Sequence, residues 1–245
     1  MSRKSYESYG ERARTMLDPM QATGRLIMTR LGEKLILADV VKKLELGPGD
    51  SLLDVGCGIG NIGIPLSFLV REYVGVDHPD VVARFKRRLP EDCPMLIGGN
   101  FLDSKPERTF DRVLAYAMIH YLTDYDEVLR FVDLALGVLP HGGRLLIGDI
   151  PNPNLKARFM TSPLAQEKGK EWDQTFENNL PKEREAVKVL TIAAEQDTEV
   201  VKFNDAVILA LVAHIRSRGF DAWVEPQTFG LPFCTQREDI VVSRP

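Results

Sequence analysis

The 245-residue chain has no uncharged apolar run near the ~18 residues that a membrane-spanning helix needs, so no membrane partner is expected. Cysteine is scarce, and Cys57, Cys93 and Cys234 lie too far apart to form a disulfide framework or a C-x-x-C pair. Positive charge is not in excess: 31 Lys and Arg stand against 35 Asp and Glu, a formal net charge of −4. A nucleic-acid partner held by phosphate contacts would need clustered basic residues, so none is expected. The first residues, Met1 to Glu7, lack the apolar stretch of a signal peptide, and no repeat or low-complexity tract follows. These absences together lead to the expectation of a cytoplasmic protein from a reducing compartment.

The apolar residues, 44% of the chain, suffice for one sizeable core. Ile27, Leu31, Leu35, Ala38 and Val41 recur at helical spacing and predict a surface helix stopped by Gly47-Pro48-Gly49. Short apolar runs then alternate with helical stretches. Strands are predicted at Ser51 to Val55, Tyr73 to Asp77, Met95 to Ile97, Phe110 to Ala115 and Arg144 to Gly148. The intervening helices are predicted from the glycine turn through about Val70, over Val81 to Arg88, and over Tyr125 to Val138. A last helix, Ala206 to Arg218, capped at Gly219, leads into a closing strand pair at Phe220 to Val224 and Asp239 to Val242. This order predicts an α/β, doubly wound, mostly parallel seven-stranded sheet. The predicted organisation is an N-terminal helical lid (1–46), a core (47–150), a helical insertion (151–204) and the final helix with its strand pair (205–245). The insertion, with Trp172 and Phe176 among charges of both signs, reads equally as a substrate cap or as a solvated excursion.

The chemistry concentrates after the first strand, in Leu53-Asp54-Val55-Gly56-Cys57-Gly58-Ile59-Gly60-Asn61. Alternating glycines let the backbone turn sharply and let a ligand lie against it. Asp77 ends the second strand, where a carboxylate can accept hydrogen bonds from ribose hydroxyls. A nucleoside-containing ligand follows, in either of two forms. Gly58, Gly60 and Gly63 match the G-x-G-x-x-G of dinucleotide sites, which would make the protein an NAD-dependent oxidoreductase. Asp54 weighs against this, since a carboxylate repels a pyrophosphate but attracts an amine and a sulfonium.

The same stretch resembles motif I of the class I S-adenosylmethionine-dependent methyltransferases. Val74 to Asp77, Gly99 to Asp103, Phe110 to Leu122 and Leu139 to Ile147 resemble four further segments of that family, in its order. There are two departures: His141 interrupts the Pro-Gly-Gly before the fifth strand, and Ala115-Tyr116-Ala117 replaces the polar residues usual after the fourth. The resemblance implies S-adenosylmethionine as methyl donor, S-adenosylhomocysteine as product, in-line transfer to a small-molecule acceptor, and no metal. It implies that Gly56, Cys57, Gly58 and Gly60 line the cofactor, with Asp54 steering its amino group. It further implies that Asp77 and His78 lie at the ribose, and Asn100 and Phe101 at the adenine. Cys57 reads as a small filler in the turn. A hydroxyl acceptor profits from a general base, for which His120 is the candidate, with a purely structural role as the alternative. Tyr9, Tyr116, Tyr121 and Asp149 are candidate substrate contacts, and Tyr6 with Tyr9 could fold over a sulfonium. A cofactor-binding scaffold without catalysis is the remaining alternative.

Overall fold

The computed structural model describes residues 3–26, 29–89, 94–103, 106–196 and 200–245. Ile27 of the expected N-terminal helix and Cys93 lie outside them, as does the side chain of Trp172. In chain order the elements are α1 (Arg3–Thr15), α2 (Pro19–Ala22), α3 (Arg30–Leu44), β1 (Ser51–Val55), α4 (Gly63–Ser67), β2 (Glu72–Asp77), α5 (Pro79–Lys86), β3 (Met95–Gly98) and β4 (Arg112–Tyr116). A 3-10 turn at Ile119–Tyr121 follows, then α6 (Tyr125–Leu136), β5 (Arg144–Pro151), α7 (Pro153–Met160), α8 (Pro163–Gln196), α9 (Asp205–Ser217), β6 (Asp221–Pro226) and β7 (Arg237–Ser243).

All five residues of β1 are buried, as a strand covered on both faces requires. The strands order as β3-β2-β1-β4-β5-β7-β6 in one seven-stranded sheet, parallel except that β7 runs antiparallel to both its neighbours. Alternate residues supply the two faces. Leu53, Val55, Val113 and Ile147 pack with Phe131 of α6 and Leu211 of α9. Leu52, Leu114 and Leu146 pack with Ile36 and Val40 of α3 and Phe85 of α5. The strand order reverses between β1 and β4, and the crevice beyond their carboxyl ends is where such sheets hold ligands.

The N-terminal helix is present, but it turns a different face inward from the one expected. Leu31, Leu35 and Ala38 are exposed, whereas Ile36, Asp39, Val40, Lys43 and Leu44 are buried. The inward face combines charged and apolar groups: buried Lys43 pairs with Asp39 at 2.9 Å and with Asp239 of β7 at 2.7 Å, and also donates to the Pro226 carbonyl. A polar clamp to β7, invisible to an apolar-periodicity reading, accompanies the burial of Ile36, Val40 and Leu44 on this face. It ends at Leu44 with Glu45 left-handed at φ 49°, before Gly47 is reached. The helix after the glycine turn is shorter than expected, a single turn ending at Ser67. The region after β5 is helical, as α7 and α8. Among the described residues, no helix is long and apolar enough to cross a membrane.

Candidate active site

The loop after β1 is shaped by Gly56 (φ 78°) and Gly58 (φ 57°). A Cβ on Gly56 would stand 3.0 Å from the Met118 side chain, so the residue must be small for groove and loop to coexist. The Gly58 N–H donates to Asp77 Oδ2 at 2.8 Å and the His78 N–H donates to Asp77 Oδ1 at 2.6 Å. These bonds pin the carboxylate at the turn while its remaining lone pairs stay available. Burial pushes the Asp77 carboxyl up, and the two backbone N–H groups pull it back. Asp54 accepts from the Tyr73 hydroxyl at 2.6 Å. Burial pushes its carboxyl up to about 7, with the Tyr73 hydrogen bond opposing and the Asp77 charge adding to the rise.

A groove runs past these groups. Asp54, Gly56, Cys57, Gly58, Ile59 and Asp77 line it, as do Tyr9, Arg25, Glu33, Tyr116 and Tyr121, with Tyr6, Ala117 and Met118 also on its walls. A smaller cavity shares Gly56, Asp77 and Met118 and extends to Gly99, Asn100 and Phe101. Asn100 is held by accepting the Leu102 N–H, and Phe101 packs edge-on against Phe131. Ala117 (φ 57°) and Asp149 (φ 61°) take left-handed backbone at the carboxyl ends of β4 and β5, a cost of order 1–3 kcal/mol each that the surrounding structure must hold in place.

Most of the expected residues thus converge on one groove: Asp54, Gly56, Cys57, Gly58, Asp77, Tyr9, Tyr116 and Tyr121 line it, and Asn100 and Phe101 line its smaller neighbour. Cys57 sits buried under Gly75, with burial raising its thiol pKa, which suits a filler. Four assignments need correction. Gly60 faces away from the groove, because its Cβ position lies 2.6 Å from the Phe85 ring; packing dictates that glycine. His78 turns to α1, stacked on Tyr6 at 4.6 Å and near Glu7, while its Nδ1 accepts the Asp80 N–H as cap of α5. Asp149 is fully buried, and its Oδ2 is taken by Arg25 at 2.8 Å and Arg237 at 2.7 Å. His120 is not among the groove-lining residues. It packs against Tyr121 with Nδ1 buried and without a hydrogen-bond partner. Burial, with Arg237 and Arg25 nearby, pushes its imidazole down to about 3, far too acidic for a proton acceptor near neutrality.

Arg25, Glu33 and Met118 are the residues that sequence reasoning missed. Met118 follows directly on β4 and was legible from position alone. Arg25 and Glu33 sit in and after the connection between α2 and α3, and only tertiary packing brings them to the carboxyl edge of the sheet. The lid segment itself is fastened across the groove. The Tyr9 hydroxyl donates to the Tyr121 hydroxyl at 2.5 Å, Arg12 lies 3.9 Å above the Tyr9 ring, and Asn61 donates to the Pro19 carbonyl.

Comparison with known proteins agrees with this geometry. Residues 53–147 match a family model described as a methyltransferase domain. An uncharacterised methyltransferase of Schizosaccharomyces pombe is 33% identical over 86 residues, 34% of this chain and 33% of that protein. The 27-O-demethylrifamycin SV methyltransferase of Amycolatopsis mediterranei is 30% identical over 146 residues, 56% of this chain and 51% of that protein. The chain therefore spans between a third and about half the length of these curated relatives. In fold it is similar to the N-methyltransferase NodS of Bradyrhizobium japonicum WM9 in complex with S-adenosylhomocysteine. The TM-score is 0.61 at 14% identity, over 99% of both chains. Residues 53–147 are thus similar to methyltransferase domains, and the seven-stranded fold is that of the solved methyltransferase.

Proposed function

We propose that this protein is an S-adenosylmethionine-dependent methyltransferase acting on a small molecule, with a hydroxyl oxygen as the acceptor atom. The observation that carries the reading is the Asp77 carboxylate, pinned by Gly58 into a groove floored by side-chain-free backbone and walled also by tyrosines, Arg25 and Glu33. The cavity holding Asn100 and Phe101 suits a flat purine beside the ribose end, and buried Asp54 suits the amino group of the methionine part. When bound, the cofactor supplies an electrophilic methyl carbon on a sulfonium. The protein's share is alignment of that methyl with the acceptor, exclusion of water, and a favourable field for the cation.

Tyr6 and Tyr9, presented by α1 over the groove, offer aromatic faces to the sulfonium, and segment 1–46 acts as the lid. Among the described residues, none from α7 or α8 lines the groove. The net charge of −4 favours a small acceptor over a nucleic acid. A hydroxyl acceptor is in keeping with the name of the rifamycin relative.

Thermal shift with S-adenosylmethionine, S-adenosylhomocysteine and NAD tests the cofactor. Stabilisation by the first two and not by NAD is expected, because occupancy of the folded state raises the melting temperature. A shift with NAD alone would restore the oxidoreductase reading. Binding with no labelled methyl passed to any hydroxyl in a broad acceptor panel would favour a scaffold.

A further inference from the structure

We infer that Glu33, in the first turn of α3, faces the sulfonium from the acceptor end of the groove and takes the proton that the acceptor loses on methylation. This rests on the cofactor reading above and adds the residue that handles the proton. The argument begins with which polar groups on the groove wall are already committed. Asp54 is held by Tyr73, Tyr121 by Tyr9, and Tyr116 lies 3.4 Å from Gln227. Behind the wall, Asp149 is held by two guanidiniums.

Glu33 is different. Its Oε1 is buried and lies 3.2 Å from Arg25 Nη1, an ion pair without hydrogen-bond alignment, and no described residue hydrogen-bonds that oxygen. Arg25 directs its better-aligned nitrogen to Asp149, so the charge of Glu33 is only partly answered. The charged and titratable groups around it are Arg25 before α3, Asp149 from β5 and Arg237 from β7, with Tyr116 at the end of β4 and Tyr121 after it on the same groove. Burial pushes the Glu33 carboxyl up, Arg25 and Arg237 pull it down, and Asp149 pushes it up again.

The chemistry of the transfer needs a group of this kind. The acceptor's lone pair forms the new bond to the methyl carbon, the carbon–sulfur pair returns to sulfur, and positive charge passes from sulfur to the acceptor atom. A carboxylate on the acceptor side is better satisfied after that displacement than before it, which is how a fixed charge accelerates a reaction. The proton then released from the acceptor goes to Glu33, and S-adenosylhomocysteine leaves neutral at sulfur.

The test requires no knowledge of the acceptor. S-adenosylmethionine and S-adenosylhomocysteine differ in the charge at sulfur, so the difference in protons released on binding them reports the carboxyl that the sulfonium faces. Calorimetric titrations in two buffers of different ionisation enthalpy, on the acid side of neutrality, count those protons. The expected result is an excess release with S-adenosylmethionine that is lost in Glu33→Gln. An absent excess, or one that survives in Glu33→Gln, overturns the assignment. S-adenosylhomocysteine binding by Glu33→Gln verifies its fold. Should that variant not fold, Glu33→Asp, whose carboxyl is drawn back from the groove, must reduce the excess; an unchanged excess there also overturns the assignment. Failure of the wild-type protein to bind either compound would instead remove the cofactor reading itself.

Discussion

At the scale of single residues the site separates glycines that line the groove from glycines that serve packing. Gly58 lines the groove and donates to Asp77, whereas Gly60 (φ 85°) sits against Phe85. Gly60→Ala should therefore cost about 1–3 kcal/mol of stability through strain and overpacking. Its affinity for S-adenosylhomocysteine, per folded molecule, should hardly change. Chemical denaturation beside calorimetry at low temperature separates the two effects. Asp77→Asn should behave oppositely, keeping the fold while binding S-adenosylhomocysteine about 10- to 100-fold more weakly. That is the worth of ~1.5–3 kcal/mol for hydrogen bonds to a charged group. The sequence pattern placed both glycines in one motif and could not tell them apart, because the Phe85 ring reaches Gly60 only once α5 is packed on the sheet.

At the scale of elements, α3 shows how a few charges fasten a helix. Leu31 and Leu35 face outward, while Ile36, Val40 and Leu44 are buried and Lys43 and Asp39 go inward to meet Asp239. Asp239 in turn accepts the Asp149 backbone N–H at 2.8 Å, and Asp149 holds Arg25 on the groove wall. The ionic chain thus links the rotation of α3 to the part of the groove wall that Arg25 forms. Lys43→Met removes one partner and leaves Asp239 buried with its charge unanswered, which should cost about 3–5 kcal/mol. Urea titration reads that loss. Lys43→Met with Asp239→Leu should recover much of it, since replacing a buried pair by apolar groups is often neutral. No reading of apolar spacing could have found this clamp, because its members are some 190 residues apart in the chain.

At the scale of the whole molecule, two buried groups make stability depend on pH in opposite senses. Asp54 holds its proton up to about 7 in the folded chain, above the ordinary carboxylate range, so the folded state binds the extra proton. Its contribution is full below the unfolded pKa and is lost as pH rises toward 7. The His120 imidazole is pushed down to about 3, so there the unfolded chain binds the extra proton. That contribution is full above the unfolded histidine value of ~6.5 and is lost as pH falls toward 3. Between about 4 and 6.5 the two oppose each other and wild type alone shows little of either. Unfolding midpoints measured across pH should show the Asp54→Asn variant gaining relative to wild type as pH rises toward 7. His120→Gln should gain relative to wild type as pH falls. Parallel curves for a variant and wild type would mean that the group does not titrate between the two states.

The sequence by itself determined the alternation of strands and helices, the glycine turn, and the acidic residue ending the second strand. These are local: a buried strand needs a continuous apolar run, a tight turn needs glycine, and both are written in neighbouring residues. Tertiary structure alone decided which of the plausible polar residues reach the groove. His120, His78 and Asp149 each sit at the expected place in the chain. Packing of α1 onto α5, and of Arg25 and Arg237 onto β5, turns their side chains away or commits them to partners. Glu33 reaches the groove on α3, a helix held to β7 by the buried Lys43–Asp239 pair. A side chain's role is fixed by what surrounds it in space, and for a buried charge those surroundings are assembled from distant parts of the chain.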